Sequence, residues 1–372
     1  MESPVFTAKL GTGRWVGIRY VLDKCPLCNG TKTMMFLGSG RLWGCSKCKK
    51  GGDSLETFRH HLAQNPLTAN YVQFIEDPVP PDEIIVVSQY VNPYREAVIP
   101  LGFGTMDNMI GGLAEASMTV ITGKRGEGKS TMLSQITLNT IQNGHNVCFY
   151  SGELSAGRFQ AWTFAQAAGA KYMEAKIDQF GATRWMVQER AEKAIRQWMD
   201  EHMVLYDSSR IKANERGTIL KMFAKARQYY GSDLFVVDNL MTAKNDMDGA
   251  DDALRAQANF AAELLNFARE NSVAVILVAH PKKGEHEDIN DGVAGLADIT
   301  NLASNVIQIR RCNDGERQQH GCDSLVTVAK NRDYGDTGSH RFSFEPKSRR
   351  FVPMDGSCIS QYGWTKLLDQ QK

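Results

Sequence analysis

The chain has 372 residues, 42% hydrophobic and 23% charged, with a formal net charge of +1. That composition suits a globular protein with at least one substantial core, and no run approaches the roughly 20 apolar residues of a membrane-spanning helix. The near-zero charge offers no global basic excess for nucleic acid, although a narrow channel can hold such charge locally.

The stretch Met1 to Gly13 has neither a signal-peptide core nor an Arg- and Ser-rich transit pattern, so a cytoplasmic location is expected. Residues 1–62 hold two knuckles, Cys25-Pro26-Leu27-Cys28 and Cys45-Ser46-Lys47-Cys48, around β-prone stretches at Thr33–Leu37 and Arg41–Trp43. Four thiolates at that separation suit tetrahedral Zn²⁺, and a closed site of this kind is structural, so no catalysis is assigned to the metal. Arg41, Trp43, Lys47, Lys49 and Lys50 add positive charge and one stackable ring, the combination used on single strands. A ribbon that only stabilises the N-terminus, or a ring contact, is the competing reading. Cys148, Cys312, Cys322 and Cys358 are scattered and read as unpaired thiols.

Residues 63–98 carry Pro66, Pro78, Pro80, Pro81 and Pro93 around one apolar run, Ile84 to Val87, and read as a linker. From residue 99 to 372, short β-branched runs alternate with helical stretches, the pattern of an α/β fold with a mainly parallel sheet. Strands are expected at Met118–Thr122, Asn146–Tyr150, Leu234–Val237, Ala274–Ala279, Asn305–Ile309, Leu325–Ala329 and Arg341–Phe344. Ligands in such sheets bind at the carboxyl ends of the strands.

Gly123-Lys124-Arg125-Gly126-Glu127-Gly128-Lys129-Ser130, followed by Thr131, fits G-x-x-x-x-G-K-[ST] between a strand and a helix. Gly123, Gly126 and Gly128 let backbone N–H groups wrap phosphates at a helix N-terminus. Lys129 would reach the β- and γ-phosphates of ATP or another nucleoside triphosphate, and Ser130 would ligate Mg²⁺. Asp238 ends an apolar strand and is the natural second support for the magnesium shell, although such a residue alone is more often a cap or turn. Glu153, just after the strand at Val147–Tyr150, is the candidate for orienting the attacking water. That strand is expected to neighbour the P-loop strand. A plain acidic residue favouring a helix dipole is the alternative, and both can hold.

These residues, in this order, resemble the DnaB-like superfamily of hexameric replicative helicases, within it the Twinkle and phage primase–helicase branch. The resemblance spans about Ile99 to Val352, from Ile99-Pro100-Leu101-Gly102-Phe103 and Gly111-Gly112-Leu113 through Ser151-Gly152-Glu153 and Val278-Ala279-His280-Pro281-Lys282-Lys283 to Lys330-Asn331-Arg332-Asp333-Tyr334-Gly335-Asp336. It implies a RecA-like core, with His280 sensing the γ-phosphate and Lys282 and Lys283 contacting DNA in the pore. It also implies Arg332 as an arginine finger acting on the neighbouring subunit's site, assisted by Lys330, and Arg311 and Phe342 sandwiching the base. A structural histidine, a solvated lysine turn and a surface arginine are the competing readings.

The Cys48-Lys49-Lys50-Gly51-Gly52-Asp53 segment looks like the zinc ribbon of primases, but there is no room for a polymerase module before Ile99, so no primer synthesis is expected. The function implied is an ATP-dependent DNA helicase translocating 5′ to 3′ on single-stranded DNA as a hexameric ring. A replication polymerase or primase is the further partner class. The alternatives are a RadA-like recombination ATPase and a DNA-binding loader that uses ATP as an assembly switch.

Overall fold

The computed structural model describes residues 11–37, 42–66, 68–69, 72, 98–207, 218–240, 253–280 and 297–369. The chain divides into two compact units, Met1–Val91 and Asn92–Lys372. The apolar run at Ile84 to Val87 and the lysines Lys282 and Lys283 lie outside the described residues.

In the first unit, β1 (Gly13–Val16), β2 (Arg19–Lys24), β3 (Thr31–Leu37), β4 (Leu42–Cys45) and β5 (Gly51–Gly52) pair in sequence order as an antiparallel meander. Helix α1 (Leu55–Ala63) follows, its N-terminus capped by Ser54 Oγ, which accepts from the Thr57 amide at 3.2 Å. Strand alternation turns Tyr20, Leu22, Met34, Phe36 and Trp43 to one buried face. They form one core with Leu55, Phe58 and Leu62, which the helical repeat places on one side of α1.

One expectation is corrected here. Trp43 is only 4% exposed, and its indole N–H donates to the Ser54 carbonyl at 2.9 Å and to Thr57 Oγ1 at 3.1 Å. It is a core residue whose ring is not offered to a base. Lys49 stays exposed, in a left-handed turn at φ 60°.

The second unit runs α2 (Gly104–Ile110), β6 (Ser117–Thr122), α3 (Lys129–Gln142), β7 (Val147–Ser151), α4 (Ala156–Ala168), β8 (Met173–Ile177), β9 (Thr183–Val187), α5 (Glu189–Met199) and β10 (Met203–Tyr206). It continues through α6 (Thr218–Tyr230), β11 (Leu234–Asp238), α7 (Ala253–Asn271), β12 (Ala274–Ala279), α8 (Ala297–Leu302), β13 (Asn305–Arg311) and α9 (Asp314–His320). The last elements are β14 (Ser324–Asn331), β15 (Gly338–Glu345), β16 (Arg350–Pro353) and α10 (Thr365–Asp369).

Among the described residues the main sheet has the order β10-β7-β11-β12-β6-β13-β14-β15-β16. The run from β10 to β13 is parallel, and β13 to β16 is antiparallel. Every residue of β6, β11 and β12 is buried, because both faces are covered. On one face Phe149, Val236, Ile276 and Val278 form a core with residues of α2, α3 and α4; on the other Phe235, Val237, Val275 and Leu277 join residues of α6, α7 and α8. Each fully buried side chain of that size contributes about 1.5–3 kcal/mol.

All the expected strands form, several longer than expected. Strands β10 and β16 and the separate β8–β9 hairpin were not anticipated. The hairpin's strands, MEAKI and TRWMV, are largely exposed; MEAKI alternates apolar and polar residues over only five positions, and TRWMV does not alternate. A further correction concerns β7, which does not neighbour the P-loop strand β6, since β11 and β12 lie between them. No helix among the described residues is long and apolar enough to cross a membrane.

Candidate functional site

The carboxyl ends of β6, β12, β11 and β7 deliver their loops side by side, and the chemistry collects there. The P-loop leaves β6 at Gly123 (φ 150°), where a side chain would run into the Ile309 carbonyl of β13. It enters α3 at Gly128 (φ 99°), where a Cβ would lie 2.8 Å from the Phe351 ring. Both conformations require glycine. The first turn of α3 then points its free N–H groups and positive dipole end into the cleft.

Lys129 is buried, and its Nζ donates to the Gly123 carbonyl at 2.7 Å and the Lys124 carbonyl at 2.8 Å. Burial pulls its pKa below the usual lysine value, while Asp238 and Glu153 push the other way. Asp238, at the end of β11, is 1% exposed. Burial raises its pKa to about 6, the Ser130 hydroxyl hydrogen-bonds to the carboxylate, and Oδ2 has no hydrogen-bond partner. A buried carboxylate with an unsatisfied oxygen beside a serine hydroxyl at the P-loop is a donor set that fits Mg²⁺.

Glu153 reaches this row by another route than the one expected from strand order. Ser151 of β7 pairs with Asp238, and the Gly152 amide donates to the Asp238 carbonyl at 2.7 Å. The loop after β7 is thereby held against the end of β11. Asn239 then bridges the site: its Nδ2 donates to Glu153 Oε1 at 2.5 Å and lies 3.0 Å from His280 Nε2. Glu153 Oε1 and His280 Nε2 are 3.7 Å apart. Burial and then the Lys129 charge lower the His280 pKa, so the ring is neutral at neutral pH. Asn239 escaped the sequence reading, although its place directly after Asp238 was the available signal.

These residues line a cleft of about 970 Å³, whose other wall includes Trp162, Arg311, Arg317, Phe344, Arg349 and Phe351. The Arg349 guanidinium sits 3.7 Å from the Trp162 ring centroid, a cation–π pair at the rim. The Arg311 amide donates to a carboxylate oxygen of Glu127, tying β13 to the P-loop. Phe342 is a correction. It is fully buried, 5.3 Å edge-on to Phe103, and belongs to the core below the cleft. Phe344, two residues further along the same face of β15, is the one that lines the cleft, packing 5.3 Å from Phe351. Trp162, Phe344, Arg349 and Phe351 lacked any local motif to mark them.

A family model, the DnaB-like helicase C terminal domain, matches residues 98–353. The chain belongs to the DnaB-like helicase family. Its fold is similar to the ATPase domain of G40P, with TM-score 0.55 and 18% identity over 69% of this chain and 91% of that one. It is also similar to a DnaB-like replicative helicase solved in a study of its interactions with primase, with TM-score 0.56 and 16% identity over 80% of this chain and 70% of that one. In sequence it is 25% identical over 244 residues to the DNA repair protein RadA of Mycobacterium tuberculosis, covering 65% of this chain and 41% of RadA. RadA of Brucella abortus is 23% identical over 239 residues, with 63% and 41% covered. The chain thus spans about two fifths of the length of those curated relatives.

In this DnaB-like chain Lys330 and Arg332 do not line the cleft that holds Lys129. Both turn to the C-terminal end of α8 instead. Lys330 Nζ donates to the Thr300 carbonyl at 2.7 Å, and an Arg332 terminal nitrogen donates to the Asn301 carbonyl at 2.6 Å. Burial, then the Arg332 charge, lowers the Lys330 pKa. In the first unit the sulfurs of Cys25, Cys28, Cys45 and Cys48 all lie within 4.8 Å of one another, with Cys28 and Cys45 3.7 Å apart. Zinc–sulfur bonds of about 2.3 Å in a tetrahedron put sulfurs roughly 3.8 Å apart, so the cluster fits the ion. Burial works against the Cys45 thiolate, but hydrogen bonds from Thr33 and from the Cys48 and Lys47 amides bring its pKa down to about 6.

Proposed function

We propose that this chain is the motor of a replicative-type DNA helicase, hydrolysing ATP at interfaces between copies while moving 5′ to 3′ along single-stranded DNA as a hexameric ring. One observation carries the reading. Lys129, Ser130, Asp238, Glu153 and His280 converge on one cleft, whereas Arg332 and Lys330 are held outside it. A hydrolytic site with positioned acid and base groups but with its finger arginine elsewhere is half of a shared site.

In that reading Lys129 leaves the P-loop carbonyls for the β- and γ-phosphate oxygens. Ser130 and Asp238 would hold Mg²⁺, which supplies charge neutralisation at those phosphates. Glu153 orients the attacking water. Asn239 fixes that carboxylate against His280, which registers the γ-phosphate. Arg332 of one copy stabilises transition-state charge in the next, a head-to-tail arrangement that closes into rings or extends as filaments. Phe344, Phe351 and the Trp162–Arg349 pair, with Arg311, form the wall for the nucleoside. The Cys₄ cluster would hold a structural Zn²⁺, with Lys49 among the cations available to DNA.

The test is ATP turnover with and without single-stranded DNA, together with unwinding of a forked duplex carrying a 5′ tail. Turnover indifferent to DNA, with no unwinding, removes the helicase reading and leaves an ATP-switched loader. The similarity to RadA supports a second reading, a DNA-repair ATPase. Activity on recombination intermediates without unwinding of simple forks would favour it.

A further inference from the structure

Between β13 and β14 the chain leaves the sheet for the short helix α9 and returns. Arg311 pairs with Ser324 at the last rung, and the Cys312 amide donates to the Asp323 carbonyl at 2.9 Å. Just beyond that rung the sulfurs of Cys312 and Cys322 lie 2.9 Å apart, both buried. The excursion is otherwise held by a two-pronged ion pair, with Arg310 donating to the Glu316 carboxylate at 2.7 and 2.6 Å, and by an Asn313–Glu316 capping box. Arg311, Arg317, Asp323 and Ser324 from this excursion line the cleft of Lys129. The two cysteines therefore sit at the neck of a segment that forms one wall of that cleft.

We propose that Cys312 and Cys322 are a reversible dithiol–disulfide pair, and that closing the bond tightens nucleotide binding in the adjacent cleft. The second half rests on the reading of the cleft as a nucleotide site. The oxidant is a low-molecular-weight disulfide such as glutathione disulfide. One cysteine thiolate attacks it, forming a mixed disulfide and releasing one glutathione thiolate. The second thiolate attacks the protein-bound sulfur of that mixed disulfide, forms the Cys312–Cys322 bond and releases the other glutathione. The protein loses two hydrogens, which leave as two glutathione thiols.

Burial is the gate on this reaction. Desolvation, reinforced by the Cys322 sulfur, pushes the Cys312 thiol up to about 12, so attack follows opening of the α9 excursion. A bond across the neck then holds Arg311, Arg317, Asp323 and Ser324 in their cleft-lining places, which reduces the ordering cost a nucleotide otherwise meets.

The experiment uses the full chain, zinc-replete, incubated with glutathione disulfide, alkylated without reduction and digested with trypsin. The peptides Cys312–Arg317 and Gln318–Lys330 should appear joined, two hydrogens lighter than their sum, separating on reduction and failing to join in Cys322→Ser. Recovery of both peptides alkylated, under glutathione disulfide and under diamide alike, overturns the pair. Titration with a fluorescent ATP analogue should show at least about threefold tighter binding after oxidation, lost in Cys322→Ser. Equal affinity in the linked and reduced states overturns the coupling to nucleotide. Absence of analogue binding in both states overturns the nucleotide-site reading and that coupling with it, while the joined peptides still decide the first half.

Discussion

Asn239 donates its side-chain amide to Glu153 Oε1 at 2.5 Å, which adds a side-chain link between the loop after β7 and the end of β11 to the backbone bond from Gly152 to Asp238. The same nitrogen lies 3.0 Å from His280 Nε2 at the end of β12. A single amide therefore links the outlets of three parallel strands. It fixes a carboxylate whose strand is separated from the P-loop strand by two others.

Asn239→Ala should lower kcat for ATP hydrolysis by about 10²-fold with KM changed little, because the carboxylate proposed to orient the attacking water loses its position while the phosphate-binding loop is untouched. Steady-state turnover with saturating Mg²⁺ reads this. A KM rise with unchanged kcat would place Asn239 in nucleotide binding instead.

Asp238→Asn should abolish hydrolysis and yet raise the melting temperature of the metal-free protein at pH 7.5. The Asp238 pKa is raised by burial from 3.8 to about 6, so the folded state holds this proton more tightly than the unfolded chain. Stability from that preference is present in full below the unfolded value and is lost as pH rises through the folded one, a loss of about 3 kcal/mol. The melting difference between variant and parent should therefore grow between pH 4 and 6 and level off above. A variant less stable than its parent at pH 7.5 would contradict the picture of an unsatisfied carboxylate.

Arg332→Ala and Lys129→Ala subunits, each inactive alone, should regain part of the turnover when mixed, since the proposed trans arrangement would then join an intact P-loop to an intact Arg332 at some interfaces. Sizing experiments with two tagged forms check that the assemblies mix. Mixed assemblies without recovered turnover would remove the finger role of Arg332.

Removal of metal from the Cys25, Cys28, Cys45 and Cys48 cluster should unfold the first unit and leave the second, because each unit has its own core and a small β-ribbon depends on its ion. Metal analysis should find one zinc per chain, released by thiol modification together with protease cleavage inside residues 11–66 and nowhere in the second unit. Full protease resistance of the zinc-free ribbon would rule out a folding role.

The P-loop, the strand ending in Asp238 and the cysteine knuckles were readable because each is local: spacing within a few residues carries their chemistry. The α/β class followed from the alternation of apolar strands and longer helical runs. What the local pattern could not carry was adjacency. Strand order is set by which crossovers cover which face, so only the folded chain puts β11 and β12 between β7 and β6 and brings Asn239 between Glu153 and His280. Depth is non-local as well. Phe342 and Phe344 share one face of β15 about 6.6 Å apart, yet one lies under Phe103 in the core and the other at the rim of the cleft. Trp43 is drawn inward by α1 in the same way, and Cys312 meets Cys322 because the β13–β14 register closes the chain on itself. Sequence determined the chemical groups and the class of fold; packing of the sheet and its crossovers decided which groups meet.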